Sequence, residues 1–250
     1  MKNNTTIIAV CGKGGVGKTC ISALMIKMLS ENPSARILAI DADPAIGLSF
    51  PLGITVKKTV DDIRNDLIKR LKNGEKTNKK ELIESLDYDI FNAIEEKQNI
   101  AFLAIGRPEG DGCYCQVNTL LKDIIKDIAK NFDFVVIDAE AGVEQINRRV
   151  MEMVTHLILV SDASLKGLNV VETIYKLAEK KCTFEKSGLI LNRLKDTDES
   201  KNIDSKTKLH LITSILENQT IREYDRDGKS FFKLPACVDM TDLDKWVMGE

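Results

Sequence analysis

One glycine-rich segment constrains the fold of this 250-residue chain more than any other feature. Residues 12–19 read Gly-Lys-Gly-Gly-Val-Gly-Lys-Thr and match the pattern G-x-x-x-x-G-K-[ST]. The apolar run at residues 7–11 precedes the segment, and apolar residues at helical spacing follow it. A strand, a glycine loop and a helix N-terminus in this order surround phosphate oxygens with backbone N–H groups. The segment therefore predicts a phosphate-binding loop after the first strand.

Short apolar runs alternate with helix-periodic stretches along the chain. After the first run, strands are predicted at residues 37–40, 100–105, 134–137, 156–160 and 188–191, with a weaker one at 209–212. These runs are apolar on both faces, which is typical of strands covered by helices on both sides. We therefore predict one α/β domain over residues 1–250, with a three-layer α/β/α fold and a mostly parallel sheet. The charged residues 57–99 predict two helices in a peripheral insertion.

Composition and charge exclude several classes of protein. The formal net charge of −2 disfavours a general nucleic-acid binder, which usually carries a basic stripe. No apolar run approaches the ~20 residues that span a bilayer, and the first residues lack the features of a signal peptide. Residues 235–250 carry four acidic residues against one lysine, the wrong sign for anionic lipid. We therefore expect a cytoplasmic protein that binds neither nucleic acid nor membrane.

The end of the glycine-rich segment carries the predicted phosphate chemistry. Lys18 is expected to reach the β- and γ-phosphates, and Thr19 to supply a hydroxyl ligand to Mg²⁺. The next residue, Cys20, stands where a threonine is common. Because a thiol is a weak donor, we expect a weaker contact to the α-phosphate there.

Carboxylates follow two of the predicted strands. Asp41 and Asp43 come directly after the second apolar run, in the sequence Asp-Ala-Asp-Pro. Asp138 ends the fourth run, which is where the metal-associated aspartate of a nucleoside triphosphatase is found. Residues 138–142, Asp-Ala-Glu-Ala-Gly, then predict a switch segment that turns toward a γ-phosphate. These features occur in the chain order that such a site requires.

A second lysine, Lys13, gives the glycine-rich segment a narrower resemblance. The segment resembles the deviant Walker A motif of the family that includes MinD, ParA, the arsenite-pump ATPase and the nitrogenase iron protein. In that family the extra lysine reaches across a homodimer to the partner's nucleotide and stabilises charge in trans. The resemblance implies ATP hydrolysis with Lys13, Lys18, Asp43 and Asp138 as catalytic residues. It further implies that Asp43 orients the attacking water and holds Mg²⁺ through water, while Asp41 contacts waters of the metal or acts structurally.

The base-binding residue is predicted after the strand at residues 188–191. Asn192 resembles the family's base-contacting asparagine. A guanine pocket of the N-K-x-D type would need lysine and aspartate where this chain has Arg193 and Lys195, so ATP is favoured over GTP. The nucleotide-binding residues implied by the resemblance are Gly12, Lys13, Gly14, Gly15, Val16, Gly17, Lys18, Thr19, Cys20 and Asn192.

Cys113 and Cys115 form a Cys-x-Cys pair just before a predicted helix. Two thiolates can bind a soft or borderline metal, but Zn²⁺ and iron–sulfur sites usually need four ligands. Two such pairs at a two-fold interface would supply four sulfurs, which suits square-planar Ni²⁺ or tetrahedral Zn²⁺ or a cluster. From the spacing alone, an inert pair of buried thiols is an equal alternative. Structural roles are expected for Cys11, Cys182, Cys237, His156 and His210.

A combination of four segments carries a resemblance to a more specific family. The segments are residues 12–19, 41–44 (Asp-Ala-Asp-Pro), 112–115 (Gly-Cys-Tyr-Cys) and 138–142. Together they resemble the CooC/AcsF family, whose ATPases mature carbon monoxide dehydrogenase and acetyl-CoA synthase by supporting nickel insertion. The resemblance implies that Cys113 and Cys115 bind Ni²⁺ or Zn²⁺ at a homodimer interface. It also implies a nickel enzyme as the client.

Two alternative functions stay open at this point. The first is an ATP-dependent electron donor similar to the nitrogenase iron protein, with a [4Fe–4S] cluster shared across the dimer. That family takes a further cysteine from its switch segment, and residues 138–144 contain none. The second is a spatial-organisation ATPase of the MinD or ParA kind, which has no such metal.

Overall fold

The framework of the fold is an eight-stranded sheet. The computed structural model describes residues 5–73, 78–107, 115–139, 150, 154–201 and 203–249, with the backbone alone at residues 79, 115, 116 and 204. The strands are β1 (Thr6–Gly12), β2 (Ile37–Asp41), β3 (Glu95–Lys97), β4 (Ile100–Ala104), β5 (Phe134–Asp138), β6 (His156–Ser161), β7 (Lys186–Leu194) and β8 (Leu211–Leu216).

The strand order is β3-β4-β2-β5-β1-β6-β7-β8, and only β3 and β4 are antiparallel neighbours. β5 lies between β2 and β1, so the carboxyl ends of these three strands are adjacent. In this register Asp138 of β5 is opposite both Asp41 of β2 and Val10 of β1. The sheet therefore brings together two carboxylates that are far apart in sequence, next to the strand that enters the glycine-rich loop.

Helices cover both faces of the sheet. They are α1 (Lys18–Ser30), α2 (Ser49–Leu52), α3 (Val60–Lys72), α4 (Lys79–Ala93), α5 (Cys115–Ala129), α6 (Leu165–Lys181), α7 (Gln219–Arg226) and α8 (Thr241–Met248). One core cluster joins the sheet to α3, α4, α5 and α6. The other joins it to α1, α2, α7 and α8. The central strands are buried on both faces for this reason, and the prediction of a three-layer fold with a mostly parallel sheet is confirmed.

Residues 57–99 contain the two predicted helices, α3 and α4, and also the edge strand β3. α3 begins with a reciprocal capping box, in which Thr59 accepts from the N–H of Asp62 and the Asp62 carboxylate accepts from the N–H of Thr59. Ile63 of α3 and Ile90 of α4 belong to the core that covers the sheet. Both helices of the segment therefore contribute side chains to the core.

Two strands differ from the sequence-based expectation. β3 was not predicted, because its three residues, Glu-Glu-Lys, are charged and lack an apolar run. Charged residues are common on edge strands, where they discourage pairing with other chains. The weak strand predicted at residues 209–212 forms two residues later, at Leu211–Leu216. β8 is the other edge of the sheet, and only Ile212 and Ile215 of its six residues are buried, so its apolar signal is weaker than that of the central strands.

The C-terminal helix α8 is anchored to the sheet by an aromatic contact. The ring of His156 meets the ring of Trp246 edge-on, with centroids 5.2 Å apart, and its Nε2 lies 3.2 Å from the carbonyl oxygen of Val247. Lys186 lies over the Trp246 ring, 4.6 Å from its centroid, and donates to the Trp246 carbonyl. His156 therefore has the structural role predicted for it. Among the described helices, none has both the length and the apolar character needed to cross a membrane.

Candidate functional site

The glycine-rich loop connects β1 to α1 at the carboxyl edge of the sheet. Gly12 lies so close to β6 that an added Cβ would be 2.1 Å from the carbonyl oxygen of Val160. Gly17 precedes the first helical residue with a φ of 91°, a left-handed conformation that glycine adopts readily. Because the first N–H groups of a helix have no partner within the helix, α1 presents a positive N-terminus at the end of the loop. This geometry fits a bound phosphate.

Side chains donate to three carbonyl oxygens of the loop. Lys18 Nζ lies 3.2 Å from the carbonyl oxygen of Lys13. Asn192 Nδ2 donates to the carbonyl oxygen of Val16 at 2.8 Å, and Arg193 donates to that of Gly15 at 2.7 Å. Asn192, predicted as a base-contacting residue, is therefore buried against the loop through its amide nitrogen. The contact of Arg193 with the loop was not predicted from the sequence, where Arg193 only counted against a guanine pocket.

The two aspartates after β2 organise the loop that follows them. Asp41 is fully buried, and its two oxygens accept from the N–H groups of Asp43 at 3.1 Å and of Leu48 at 2.8 Å. Asp43 is partly exposed, and its carboxylate accepts from the N–H of Ala45 at 2.9 Å. The same loop approaches the metal-binding candidate, since a Cβ at Gly47 would lie 3.9 Å from the Thr19 hydroxyl.

Asp138 lies at the end of β5 and is completely buried. Its Oδ1 accepts from the Ser22 hydroxyl of α1 at 2.9 Å. Its Oδ2 is buried without a hydrogen-bond partner among the residues that the structure describes. A buried carboxylate oxygen without a partner is costly, which is typical of a place that a cation or its waters would complete.

Electrostatics support the same interpretation. Burial raises the pKa of Asp41 to about 7, and the neighbouring charge of Asp138 adds to this. Burial raises the pKa of Asp138 to about 6, against the opposing effects of the Thr19 and Ser22 hydroxyls and of Lys18. Buried carboxylates at neighbouring strand ends disfavour simultaneous ionisation. Hard divalent cations such as Mg²⁺ prefer oxygen ligands, so the oxygens of Asp138 and Thr19 fit this ion.

Lys13 forms an ion pair within its own chain. Its Nζ lies 2.9 Å from Oδ2 of Asp162, and both side chains are about one-third exposed. Burial raises the pKa of Asp162, but hydrogen bonds from Ser164 and Lys13 outweigh it and hold the pKa below its usual range. Asp162 follows β6 and was not predicted as a site residue. The signal was available in the sequence, because Asp162 is a further carboxylate placed just after an apolar run.

Part of the predicted site lies outside the described residues. Cys113 and residues 140–142 of the predicted switch segment are among these. Cys115 is the first residue of α5, and its side chain is not described. Within the described ranges, no group of three or more metal-ligating side chains is found. The Cys-x-Cys site therefore stays a prediction.

The pKa is raised for the thiols of the four cysteines whose side chains the structure describes. Cys11 and Cys20 are the most enclosed, and burial raises the pKa of each thiol to about 12. Cys182 and Cys237 are partly buried, and burial raises their pKa values as well. A thiol must ionise to bind a metal strongly, so the raised pKa values agree with the structural role expected of Cys11, Cys182 and Cys237.

Comparisons with known proteins agree with this site. The chain is 41% identical over 232 residues to an uncharacterised ATP-binding protein of Methanocaldococcus jannaschii, covering 92% of this chain and 91% of that one. It is 29% identical over 254 residues to the carbon monoxide dehydrogenase accessory protein CooC of Rhodospirillum rubrum, covering 93% and 92%. The septum site-determining protein MinD of Pyrococcus horikoshii, complexed with Mg-ADP, superposes with a TM-score of 0.65 at 25% identity, covering 92% of this chain and 89% of that one.

A family comparison covers most of the chain. Residues 5–186 match the family described as AAA domain, and this range contains the glycine-rich loop and the aspartates of β2 and β5. Members of this class bind nucleotide together with Mg²⁺, which agrees with the loop and carboxylate geometry. The protein therefore belongs to this AAA-domain family of ATP-binding P-loop proteins.

Proposed function

We propose that the protein is a dimeric ATPase that assists nickel insertion into carbon monoxide dehydrogenase or acetyl-CoA synthase. In this proposal one domain over residues 1–250 binds Mg-ATP at the loop of residues 12–19. The observation that carries the ATPase part is the buried Oδ2 of Asp138, which has no hydrogen-bond partner among the residues that the structure describes. The electrostatic effects of Lys18 and Thr19 on this carboxylate place it at the end of that loop. The nickel part is supported by the similarity to CooC along nearly the whole chain.

In the proposed ATP hydrolysis, residues of the glycine-rich loop and of the ends of β2 and β5 have different roles. Lys18 would neutralise charge on the β- and γ-phosphates, and Thr19 would bind Mg²⁺ through its hydroxyl. Asp138 would hold a water of the metal, and Asp43 would hold another and orient the water that attacks the γ-phosphate. Asp41 accepts from two backbone N–H groups and would therefore act by fixing the loop that carries Asp43. When bound, Mg²⁺ supplies charge neutralisation that these residues lack by themselves.

Lys13 would act on the partner protomer's nucleotide. In the single chain it is paired with Asp162, and about one-third of each side chain is exposed to solvent. Ion pairs this exposed are worth little, typically about 0–1 kcal/mol, so exchanging Asp162 for a phosphate costs little. The pair thus leaves Lys13 available for a homodimer in which each protomer completes the other's site.

Cys113 and Cys115 would bind the cargo metal. Two pairs from two protomers offer the four sulfurs that a Ni²⁺ or Zn²⁺ site requires, whereas one pair does not. The iron-protein alternative, with a [4Fe–4S] cluster, has weaker support because residues 138–144 lack a cysteine. The spatial-organisation alternative, in which the Cys-x-Cys pair binds nothing, has the likeness to the MinD fold as its support.

One experiment separates these three functions. The protein is purified anaerobically, and metal identity and stoichiometry per dimer are measured with and without ATP. About one Ni²⁺ or Zn²⁺ per dimer in the wild type, lost in Cys113→Ser/Cys115→Ser, is the expected result. The matched control is Cys182→Ser/Cys237→Ser, which removes two partly buried thiols and should leave the metal in place. An iron–sulfur chromophore would support the electron donor, and a wild type without metal would support the MinD-like function.

A further inference from the structure

Two side chains near the end of β7 donate hydrogen bonds to backbone carbonyls of the glycine-rich loop. Arg193 donates to the carbonyl oxygen of Gly15 at 2.7 Å, and Asn192 donates to that of Val16 at 2.8 Å. These two carbonyls belong to consecutive peptide units. Residues adjacent in β7 therefore bind two adjacent peptide units of a loop that is more than 170 residues away in sequence.

The orientation of a carbonyl fixes the N–H of the same peptide unit. In a planar trans peptide the C=O and the N–H point in opposite directions. With the carbonyls of Gly15 and Val16 turned toward Arg193 and Asn192, the N–H groups of Val16 and Gly17 point away from these side chains. Among the described residues neither N–H donates a hydrogen bond. Both are therefore left available to oxygens of a phosphate.

Arg193 adopts a backbone conformation that few side chains tolerate. Its φ is 62°, one of three positive values at non-glycine residues in the described part of the chain. Such a conformation is strained for a residue with a Cβ, and strain of this kind is kept where other contacts require it. Its guanidinium also lies against Gly17, since a Cβ there would be 3.7 Å from Arg193 Nε. The strain is thus found at the residue that contacts the loop.

We infer that Arg193 is a positioning residue, which together with Asn192 holds two peptide units of the loop in the orientation that binds phosphate and so slows nucleotide release. The inference rests on the proposed nucleotide site at residues 12–19. It assigns to Arg193 a role that acts through the loop backbone, without direct contact to the nucleotide. A pre-oriented set of donors loses less freedom on binding, which lengthens the lifetime of the complex.

The test is the release rate of the fluorescent analogue mant-ADP in the presence of Mg²⁺, measured by stopped flow. Loss of a hydrogen bond from a charged donor typically corresponds to about tenfold or more in an equilibrium constant. We therefore expect Arg193→Ala to release mant-ADP about tenfold faster than wild type, with a nearly unchanged association rate. Arg193→Lys keeps one charged donor and should restore part of the difference.

Two further variants separate positioning from other effects. Arg193→Gly removes the guanidinium but relieves the backbone strain, so we expect fast release together with a melting temperature about 2–4 °C higher than that of Arg193→Ala. Lys195→Ala removes the same charge two residues away and should leave the release rate within twofold of wild type.

The outcomes that overturn the inference are distinct from failure of the proposed function. Release from Arg193→Ala within twofold of wild type would overturn the positioning role while leaving the nucleotide site intact. Equal acceleration in Lys195→Ala would overturn it as well, because the effect would then be one of net charge. A wild type that binds no mant-ADP would overturn the nucleotide site, and this inference with it.

Discussion

The neighbouring strands β2 and β5 carry charged residues at both ends, and the electrostatic environments of the two ends are opposite. At the amino ends, Arg36 and Asp133 form an ion pair with an Nη2–Oδ1 distance of 3.1 Å, in which Arg36 is largely exposed. At the carboxyl ends, Asp41 and Asp138 are adjacent, buried and of like charge. The pKa of Asp133 is held below its usual range by the hydrogen bond from Arg36, whereas burial raises the pKa values of Asp41 and Asp138.

The charges at the amino ends of β2 and β5 therefore stabilise the folded state, whereas the charges at the carboxyl ends destabilise it. The Arg36–Asp133 pair is favourable in the folded protein without any bound ligand. Ionisation of both Asp41 and Asp138 is unfavourable in the isolated chain, and a bound cation would offset this cost. This contrast is expected where a site is adapted to bind and react rather than to be stable.

The largest effect is expected from Asp138→Asn. Loss of one charged group at a reaction centre typically costs about 10²–10³-fold in rate, so ATP hydrolysis should fall by this amount. The nucleotide-free protein should instead become more stable at pH 7.5, by at most about 3 kcal/mol, because a pKa raised from 3.8 to about 6 reflects a buried charge that the amide lacks. Steady-state ATPase assays and chemical denaturation measure the two effects. Wild-type hydrolysis in this variant would contradict the proposed role of Asp138.

A smaller effect is expected from pH, with opposite signs at the two ends. The folded-state pKa values of Asp41 and Asp138, about 7 and about 6, lie above the value of 3.8 for an exposed aspartate. The folded state therefore binds more protons than the unfolded state between about pH 4 and 7, and the stability from this pair falls as pH rises through that window. Asp133, whose pKa is lowered, contributes stability that is lost as pH falls below 3.8.

The pH effect is measured as the difference in unfolding free energy between wild type and Asp138→Asn from pH 5 to 8, without nucleotide. We expect the unfolding free energy of the variant, relative to that of the wild type, to increase by about 1 kcal/mol or more as pH rises across this range. Saturating Mg-ADP should reduce the slope of the wild type, because a bound cation favours the ionised carboxylates. A difference that does not change with pH would contradict the charge contrast between the two strand ends.

The smallest effect is expected from Asp133→Asn, the counterpart of Asp138→Asn at the amino end of β5. Partly exposed ion pairs contribute about 0–1 kcal/mol, so the free energy of unfolding should fall by no more than this. ATP hydrolysis should stay within twofold of wild type. A large loss of activity would show that the amino ends of the strands are not a purely structural region.

Sequence patterns predict much of the fold and the parts of the site that are local. The central strands and the glycine-rich loop are short, contiguous patterns, so β1, β2, β4, β5, β6 and β7 lie close to where they are predicted. Asp41 and Asp138 are predicted individually as residues at strand ends. Their direct adjacency depends on the strand order, which a single sequence does not specify.

The parts that are missed depend on contacts between distant residues. Lys13 pairs with Asp162, 149 residues away, and no spacing rule connects them. The contact of Arg193 with the loop depends on a positive φ that no residue type indicates, since arginine seldom adopts it. β3 is missed because its stability comes from pairing with β4 rather than from its own charged sequence.

The anchor of α8 has a practical consequence for all stability measurements on this protein. Trp246 is the chain's single tryptophan, so intrinsic emission excited at the red edge reports one ring in one environment. That ring belongs to α8 and contacts both His156 and Lys186. Burial, with help from Lys186, lowers the pKa of His156 to about 4, so the imidazole beside the fluorophore is neutral at neutral pH. Tryptophan emission thus supplies an optical signal of unfolding that titration of His156 does not modulate over the upper part of the pH range in which Asp41 and Asp138 titrate.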